Sequence, residues 1–331
     1  MSVPLGIEGL SVGHYSDPVG CTGCTVVLAP GGVTASVDIR GGAPGSLDTD
    51  LLSPLAAVSE VHGILLTGGS APGLAAAAGV SRYLREQGRG YQTAYARIPL
   101  VSGAVIYDLG LGSPDACPGP QDAYQAALDA SDVVEEGSLG AGTGATVGKL
   151  LGREGLMKGG VALAKIEVGE GVNVTALCVV NALGDVMDER GEVLAGARQG
   201  GSFVHARQRL LEMRSVPSFG RVENTTLCVV MTDACLDKAQ CAIVARLSHD
   251  GMARAINPVH TPFDGDCVFV LATGRLCSNV FQVGAAAAEA VATGIRRAVT
   301  VAQGRAEAPS LTDIRAAMPA VAPDISEDRE A

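Results

Sequence analysis

The sequence has 331 residues, 47% hydrophobic but only 3% aromatic, with no tryptophan and a formal net charge of −11. That length suggests about two domains as a prior, yet no linker divides two cores, and a single domain built from Ala, Val, Leu and Gly is expected. The acidic balance argues against nucleic acid or anionic membrane as a partner, no run of about 18 apolar residues could span a bilayer, and no leader pattern opens the chain, so a cytoplasmic location is expected.

Taken in order, the β-like runs 25–28 and 33–39 flank Ala29-Pro30-Gly31-Gly32 and predict a hairpin. The apolar run 63–67 leads into Gly68-Gly69-Ser70, and Pro72 then opens an Ala-rich helix over 73–87. Residues 100–107 are strand-like and 121–129 helical. The runs 161–168 and 172–181, parted by Gly169-Glu170-Gly171, predict a second hairpin. Regularity is lost over 186–222 apart from a short helix near 203–213, and this stretch reads as a mobile surface connection. A strand over 226–231, a helix over 237–256, a strand over 267–273 and a long Ala-rich helix over 280–301 follow. The tail beyond Gly304 is expected to fray. Two stacked sheets covered by helices fit this order better than strict βαβ alternation.

Several motifs invite chemistry that their surroundings do not support. The nine cysteines lie mostly in apolar runs and read as reduced core thiols. Cys21-Thr-Gly-Cys24 lacks the second pair that a structural zinc requires. Gly140-Ala-Gly-Thr-Gly-Ala145 satisfies GxGxxA, which makes a dinucleotide-dependent oxidoreductase one alternative, but the preceding Asp132-Val-Val-Glu-Glu136 is too polar for a central strand. A Walker A loop fails because Thr143 replaces its first glycine and Leu150 its Ser/Thr. The loop does deliver Lys149 to a defined place, either for chemistry or as a surface charge. Residues 68–73 lack the spacing of a nucleophile elbow. His260 reads as a turn histidine making one hydrogen bond.

The remaining features converge. Thr175-Ala-Leu-Cys-Val-Val-Asn181 echoes Thr225-Thr-Leu-Cys-Val-Val-Met231; if the two are antiparallel neighbours, Asn181 lies beside Thr225. Asp264-Gly-Asp266 sets two carboxylates at i, i+2 ahead of a strand. They form either a solvated turn with an Asx cap or an acid pair that tunes itself and holds an ammonium or hydroxyl. A threonine hydroxyl is a poor nucleophile without a base. An N-terminal threonine carries one, because its α-amino group titrates at about 7.7–8.0. Attack of the Thr225 hydroxyl on the Asn224 carbonyl, followed by hydrolysis of the ester, would create that terminus, and β-branching helps aim the hydroxyl. This chemistry calls for no cofactor and no metal, and none is expected.

The segments VGHY at 12–15, DIRGGAPG at 38–45, LLTGGSAPGLAAAAGV at 65–80, GAVIYDLG at 103–110, GAGTGATVGKL at 140–150, VVNALGD at 179–185, ENTTLCVV at 223–230 and HTPFDGDCVFVLATG at 260–274 occur in order along nearly the whole chain. Together they resemble the self-processing N-terminal-nucleophile hydrolases of the L-aminopeptidase/D-amidase-esterase group, peptidase family S58, which includes β-aminopeptidases and the 6-aminohexanoate-oligomer hydrolase. The resemblance implies an α/β fold, a four-layer α/β/β/α sandwich like that of other N-terminal-nucleophile hydrolases but differently connected. It implies cleavage between Asn224 and Thr225 into an α chain 1–224 and a β chain 225–331, assembled as homo-oligomers, a tetramer of αβ units being expected. Small molecules, short peptides or amides would be the substrates. Carried over by position, Thr225 matches the nucleophile, Asn181 the oxyanion-binding asparagine and Tyr107 a tyrosine that hydrogen-bonds in the same site. Asp264 and Asp266 match two positions that orient the nucleophile and its amino group. Aminopeptidase members carry serine and glutamate there, so two aspartates look more like the oligomer-hydrolase branch, as does Lys149. A processed but catalytically silent binding protein is the second alternative.

Overall fold

Runs rich in Val, Leu, Ile and Thr form the strands, and Ala- and Gly-rich runs form helices whose small side chains let them approach closely. The computed structural model describes residues 2–169, 171–215 and 224–317. In chain order the principal elements begin with β1 (Ser11–Asp17), β2 (Thr22–Ile39), β3 (Ser46–Leu47) and β4 (Glu60–Thr67). A 3₁₀ turn at Ala71–Ala76 then leads into α1 (Ala77–Glu86), β5 (Val101–Val105) and α2 (Pro120–Leu128). After these come β6 (Gly160–Val168), β7 (Val172–Asn181), β8 (Thr225–Ala234), α3 (Lys238–Ala255), β9 (Cys267–Leu276) and α4 (Val280–Val301).

The hydrogen-bonded path runs β6-β7-β8-β9-β2-β4-β5-β3, with β1 added to β2. Alternation along the strands divides the apolar residues into three clusters. Cys228 and Val230 of β8, with Val268 and Val270 of β9, face α3 and α4. Leu227 and Val229 of β8, with Phe269 of β9, face the opposite way and share a cluster with Val27, Ile64 and Leu66 of β2 and β4. Cys24, Val26 and Leu65, on the other face of β2 and β4, pack against Val80 and Leu84 of α1 and Ala123 and Ala126 of α2. Each end of the sheet thus packs helices on one face, and the opposite faces share a single apolar cluster.

The hairpin expected around Ala29–Gly32 does not form. Residues 22–39 make one long strand, and the two apolar runs are its two ends. The extra residues are absorbed as a register shift against β4 between Leu28 and Val33. The Gly169 hairpin does form, with Gly160 opposite Val180. The 186–222 stretch holds more structure than its composition suggests: short strands at Val193–Ala195, Arg198–Gln199 and Ser202–Phe203, and a helix at Ala206–Glu212. Its final part, 216–222, and the tail from 318 lie outside the described residues. Helices pack closely in both halves: a Cβ on Gly251 of α3 would stand 2.1 Å from the Ala288 carbonyl oxygen of α4, and one on Gly79 of α1 would stand 1.8 Å from the Pro120 carbonyl oxygen of α2. Among the described residues no helix is long and apolar enough to cross a membrane.

Candidate active site

The site lies where β7 ends and β8 and β9 begin. Asn181, the last residue of β7, is the antiparallel partner of Thr225, the first residue of β8. On the other side of β8, β9 runs parallel, so its entrance, with Asp264 and Asp266, opens at the same edge. Chain direction alone therefore gathers three sequence-distant segments at one place.

Thr225 is buried, and its Oγ1 donates to the carbonyl oxygen of Asn224, the residue before it. That carbonyl oxygen also accepts from the Gly265 N–H at 2.9 Å, and the Asn224 N–H donates to the Phe263 carbonyl at 3.2 Å. The peptide ahead of Thr225 is thus held like a strand against 263–265, with Asn224 and Asp264 forming a parallel bridge. Gly265 is required here for closeness: a Cβ would stand 2.7 Å from Thr225 Oγ1. Glycines at 41 and 42 serve the same end, since a Cβ on Gly41 would strike the Asp264 carbonyl and one on Gly42 would strike Pro262.

Asn181 is fully buried and its amide is fixed on both sides. Oδ1 accepts from Lys149 Nζ at 2.6 Å and from the Thr146 N–H at 3.1 Å, while Nδ2 donates to the Tyr107 carbonyl at 3.0 Å. Lys149 Nζ also donates to the Asn181 main-chain carbonyl at 3.0 Å. Loss of hydration lowers the Lys149 pKa to about 7, against the opposing pull of the Asp264 and Asp108 carboxylates. It is no surface charge. Tyr107 enters the network through this carbonyl and lines the cleft.

The two aspartates have separate tasks. Both are buried, which excludes the solvated turn. Asp264 Oδ2 accepts from the Thr261 N–H at 2.7 Å, and burial, then the neighbouring Asp266 charge, raises its pKa to about 6. Asp266 Oδ1 accepts from the Thr226 N–H at 2.6 Å, and its Oδ2 faces His260.

Sequence reading missed three residues. Gly265 supplies the N–H on the Asn224 carbonyl; only its place between the two aspartates hinted at it. Asp108, buried just past the end of β5, accepts from Thr22 Oγ1 and the Gly69 N–H, both at 2.8 Å, and burial raises its pKa. It anchors the turn that reaches Ser70, whose φ of 55° and ψ of −154° are rare for a residue with a side chain. Lys158 is entirely buried and donates to the carbonyls of Gly142, Ala145 and Gly159 at 2.6–3.0 Å. Those contacts also dispose of the GxGxxA reading. The loop makes a 3₁₀ turn that leads into no long helix, and a Cβ on Gly140 would meet His14 and Thr25 at 2.4 Å. Its glycines serve packing, where a dinucleotide fold would need them at a pyrophosphate.

A cleft of about 320 Å³ opens onto Thr225. Its described lining is Ala43, Pro44 and Gly45 from one loop, Ser70 and Ala71 from another, and Val105, Tyr107, Asn224, Thr225 and Phe263. None of these side chains is charged. Among the described residues no cluster of three or more His, Cys, Asp or Glu could hold a metal ion.

The sequence matches the model of peptidase family S58 over residues 5–309. An uncharacterised aminopeptidase of Mycobacterium tuberculosis is 40% identical over 338 residues, covering 93% of this chain and 96% of that protein. The 6-aminohexanoate-oligomer endohydrolase of an Agromyces species is 34% identical over 308 residues, covering 85% and 81%. Among solved structures, a Burkholderia β-aminopeptidase superposes with a TM-score of 0.69 at 20% identity, covering 96% of this chain and 94% of that one. The L-aminopeptidase D-Ala-esterase/amidase of Ochrobactrum anthropi, described as a variant of the Ntn hydrolase fold, gives 0.68 at 18%, covering 95% and 93%.

Proposed function

The chain belongs to peptidase family S58, and from that premise we propose that it cuts its own Asn224–Thr225 bond and then hydrolyses amide bonds through an acyl-enzyme on Thr225. The observation that carries this reading is the hydroxyl of Thr225 facing the carbonyl of the residue before it, with the Gly265 N–H already on that carbonyl oxygen. Attack of Oγ1 on the Asn224 carbonyl carbon moves negative charge onto an oxygen that has a donor in place, the arrangement that lowers the barrier to acyl transfer. Collapse of the tetrahedral species transfers the acyl group to Oγ1, and the proton lost by the hydroxyl ends on the departing Thr225 nitrogen, which becomes a free amine. Water then hydrolyses the ester, yielding an α chain 1–224 and a β chain 225–331.

In the cut protein the α-amino group of Thr225, at an ordinary pKa of about 7.7–8.0, takes the proton of its own hydroxyl. Asn181 stabilises the oxyanion of the substrate. Lys149, with a pKa of about 7, keeps Asn181 in orientation and exchanges its proton readily near neutral pH. Asp266 holds the strand start and Asp264 balances the Lys149 charge. The uncharged lining of the cleft suits neutral acyl groups: short peptides, amino-acid amides or amide oligomers. A homo-oligomer of αβ units is the assembly this reading expects.

The test is Thr225→Ala, which is expected to remain a single uncut chain without amidase activity. Amino-terminal sequencing of the wild type should find a chain that begins at Thr225. Two chains from the alanine variant would sink the proposal.

A further inference from the structure

Asp266 is gripped from two sides, and only one of them belongs to the strand that carries Thr225. Oδ1 accepts from the Thr226 N–H at 2.6 Å. Oδ2 accepts from residue 260 twice, from the main-chain N–H at 3.1 Å and from ring Nδ1 at 2.9 Å. With Oδ2 fixed by two donors, Oδ1 is turned onto the N–H that follows the nucleophile. That contact sets the plane of the Thr225–Thr226 peptide, and with it the direction of the Thr225 side chain and nitrogen.

His260 is itself held in place. Its φ of 55° lies in the left-handed region, which Asn, Asp and His enter more readily than other side chains. Such a conformation persists where the surroundings over-determine it. The ring of His249 meets it edge-on, with centroids 4.7 Å apart and planes at 71°. His249 lies on α3, entirely buried, and its Nε2 is 3.1 Å from the main-chain carbonyl of Asp38 on β2. A carbonyl only accepts, so Nε2 carries the proton. Burial lowers the His249 pKa to about 4, which keeps the ring neutral beside its neighbour. The contacts thus run from the end of β2 through α3 to the mouth of β9 and on to β8.

We propose that His260, seated against His249, is the positioning residue that aims Asp266 at the strand start carrying Thr225. The assignment rests on the reading of Thr225 as nucleophile. It replaces the incidental turn histidine of the sequence reading with a residue that acts on the reaction through Asp266.

His260→Asn and His260→Asp form a nearly isosteric pair, and both tolerate the left-handed backbone. Asn restores a donor where Nδ1 stood, whereas Asp sets a second acceptor against Oδ2. The measurements are the fraction of chain cut before Thr225, kcat and KM on an amino-acid p-nitroanilide, and the melting temperature. His260→Asp is expected to lose about tenfold to a hundredfold in kcat with KM within about twofold, and His260→Asn to recover most of that loss. In an Asp266→Ala background the two substitutions should no longer differ, since the carboxylate they act through is gone. If His260→Asp melts early, His260→Gln takes its place; its longer amide misses the Nδ1 position and should not restore kcat. A folded His260→Asp or His260→Gln that is fully cut and turns over at the wild-type rate overturns the assignment, as do losses that simply add to those of Asp266→Ala. A wild-type chain left uncut before Thr225 overturns the underlying reading instead, and the assignment with it.

Discussion

Asn181 and Thr225 stand opposite one another as Cα partners at the end of the β7–β8 ladder. Because the pairing runs unbroken over eight residue pairs, back to Val174 and Thr232, their relative position is set by backbone hydrogen bonds and not by loop conformation. A one-residue slip would turn every side chain of β8 to the other face, moving Leu227 and Val229 out of one core and Cys228 and Val230 out of the other. The register of the site and the burial of the core are the same constraint.

Asn181→Ala removes the proposed oxyanion donor and the side-chain acceptor of Lys149 Nζ together, leaving the main-chain one. The expected loss is about 10²–10³ in kcat on an amide substrate, the usual cost of deleting one such donor. Steady-state kinetics on purified, fully cut protein checks this; a loss under about tenfold would move the oxyanion role elsewhere.

Gly265→Ala adds one methyl where a Cβ meets Thr225 Oγ1 at 2.7 Å. The residue does not have a left-handed φ, and the next contact, the Ala43 carbonyl at 3.0 Å, is looser, so the effect falls chiefly on the nucleophile. The variant is expected to fold but to accumulate as the uncut 33.4 kDa chain on a denaturing gel. Cutting at the wild-type rate would show that the hydroxyl attacks from another side.

Lys158 makes stability depend on pH in the basic range. Its folded pKa of about 7 lies below the ordinary 10.5, so between those values the unfolded chain holds the extra proton. Stability therefore rises with pH through that window, by up to about 1.4 kcal/mol per pH unit for one group, and is flat below it. Lys149 adds a contribution of the same sign over the same window. Asp264 works oppositely and lower down: its folded pKa of about 6 exceeds the ordinary 3.8, so its contribution falls as pH rises from 3.8 through 6. Lys158→Met should lower stability at every pH, because three carbonyls lose their donor, and should flatten the rise above pH 7. Denaturant melts at pH 7, 8 and 9 of the uncut Thr225→Ala chain, with and without Lys158→Met, measure the two slopes; equal slopes would mean that Lys158 keeps its proton in the fold.

The sequence revealed the site better than the connections around it. The echo between 175–181 and 225–231 suggested two buried strands with similar surroundings, and their antiparallel pairing then puts Asn181 opposite Thr225. Helix and strand periods located α4 and the β6–β7 hairpin. The hairpin expected at 29–32 failed because Pro-Gly-Gly marks a break in pairing, and a register shift within one strand breaks pairing as well as a reversal does. Gly265 read only as a residue permitting a tighter bend, because a glycine required for closeness to a neighbour carries no local signature. Lys158 and His260 were illegible for a related reason: a buried lysine or histidine looks the same in sequence as a solvated one until its partners are known.

The sheet order has one last consequence. Strands β8 and β9 lie between β7 and β2, hydrogen-bonded on both flanks to segments that precede residue 224. A break at Asn224–Thr225 would therefore release nothing: the downstream segment is woven into the middle of the upstream one. An unbroken precursor closes that weave within one chain, whereas cut segments would have to find one another in solution, so maturation would run one way. The cut protein, once denatured, should be far harder to reassemble than the chain it came from.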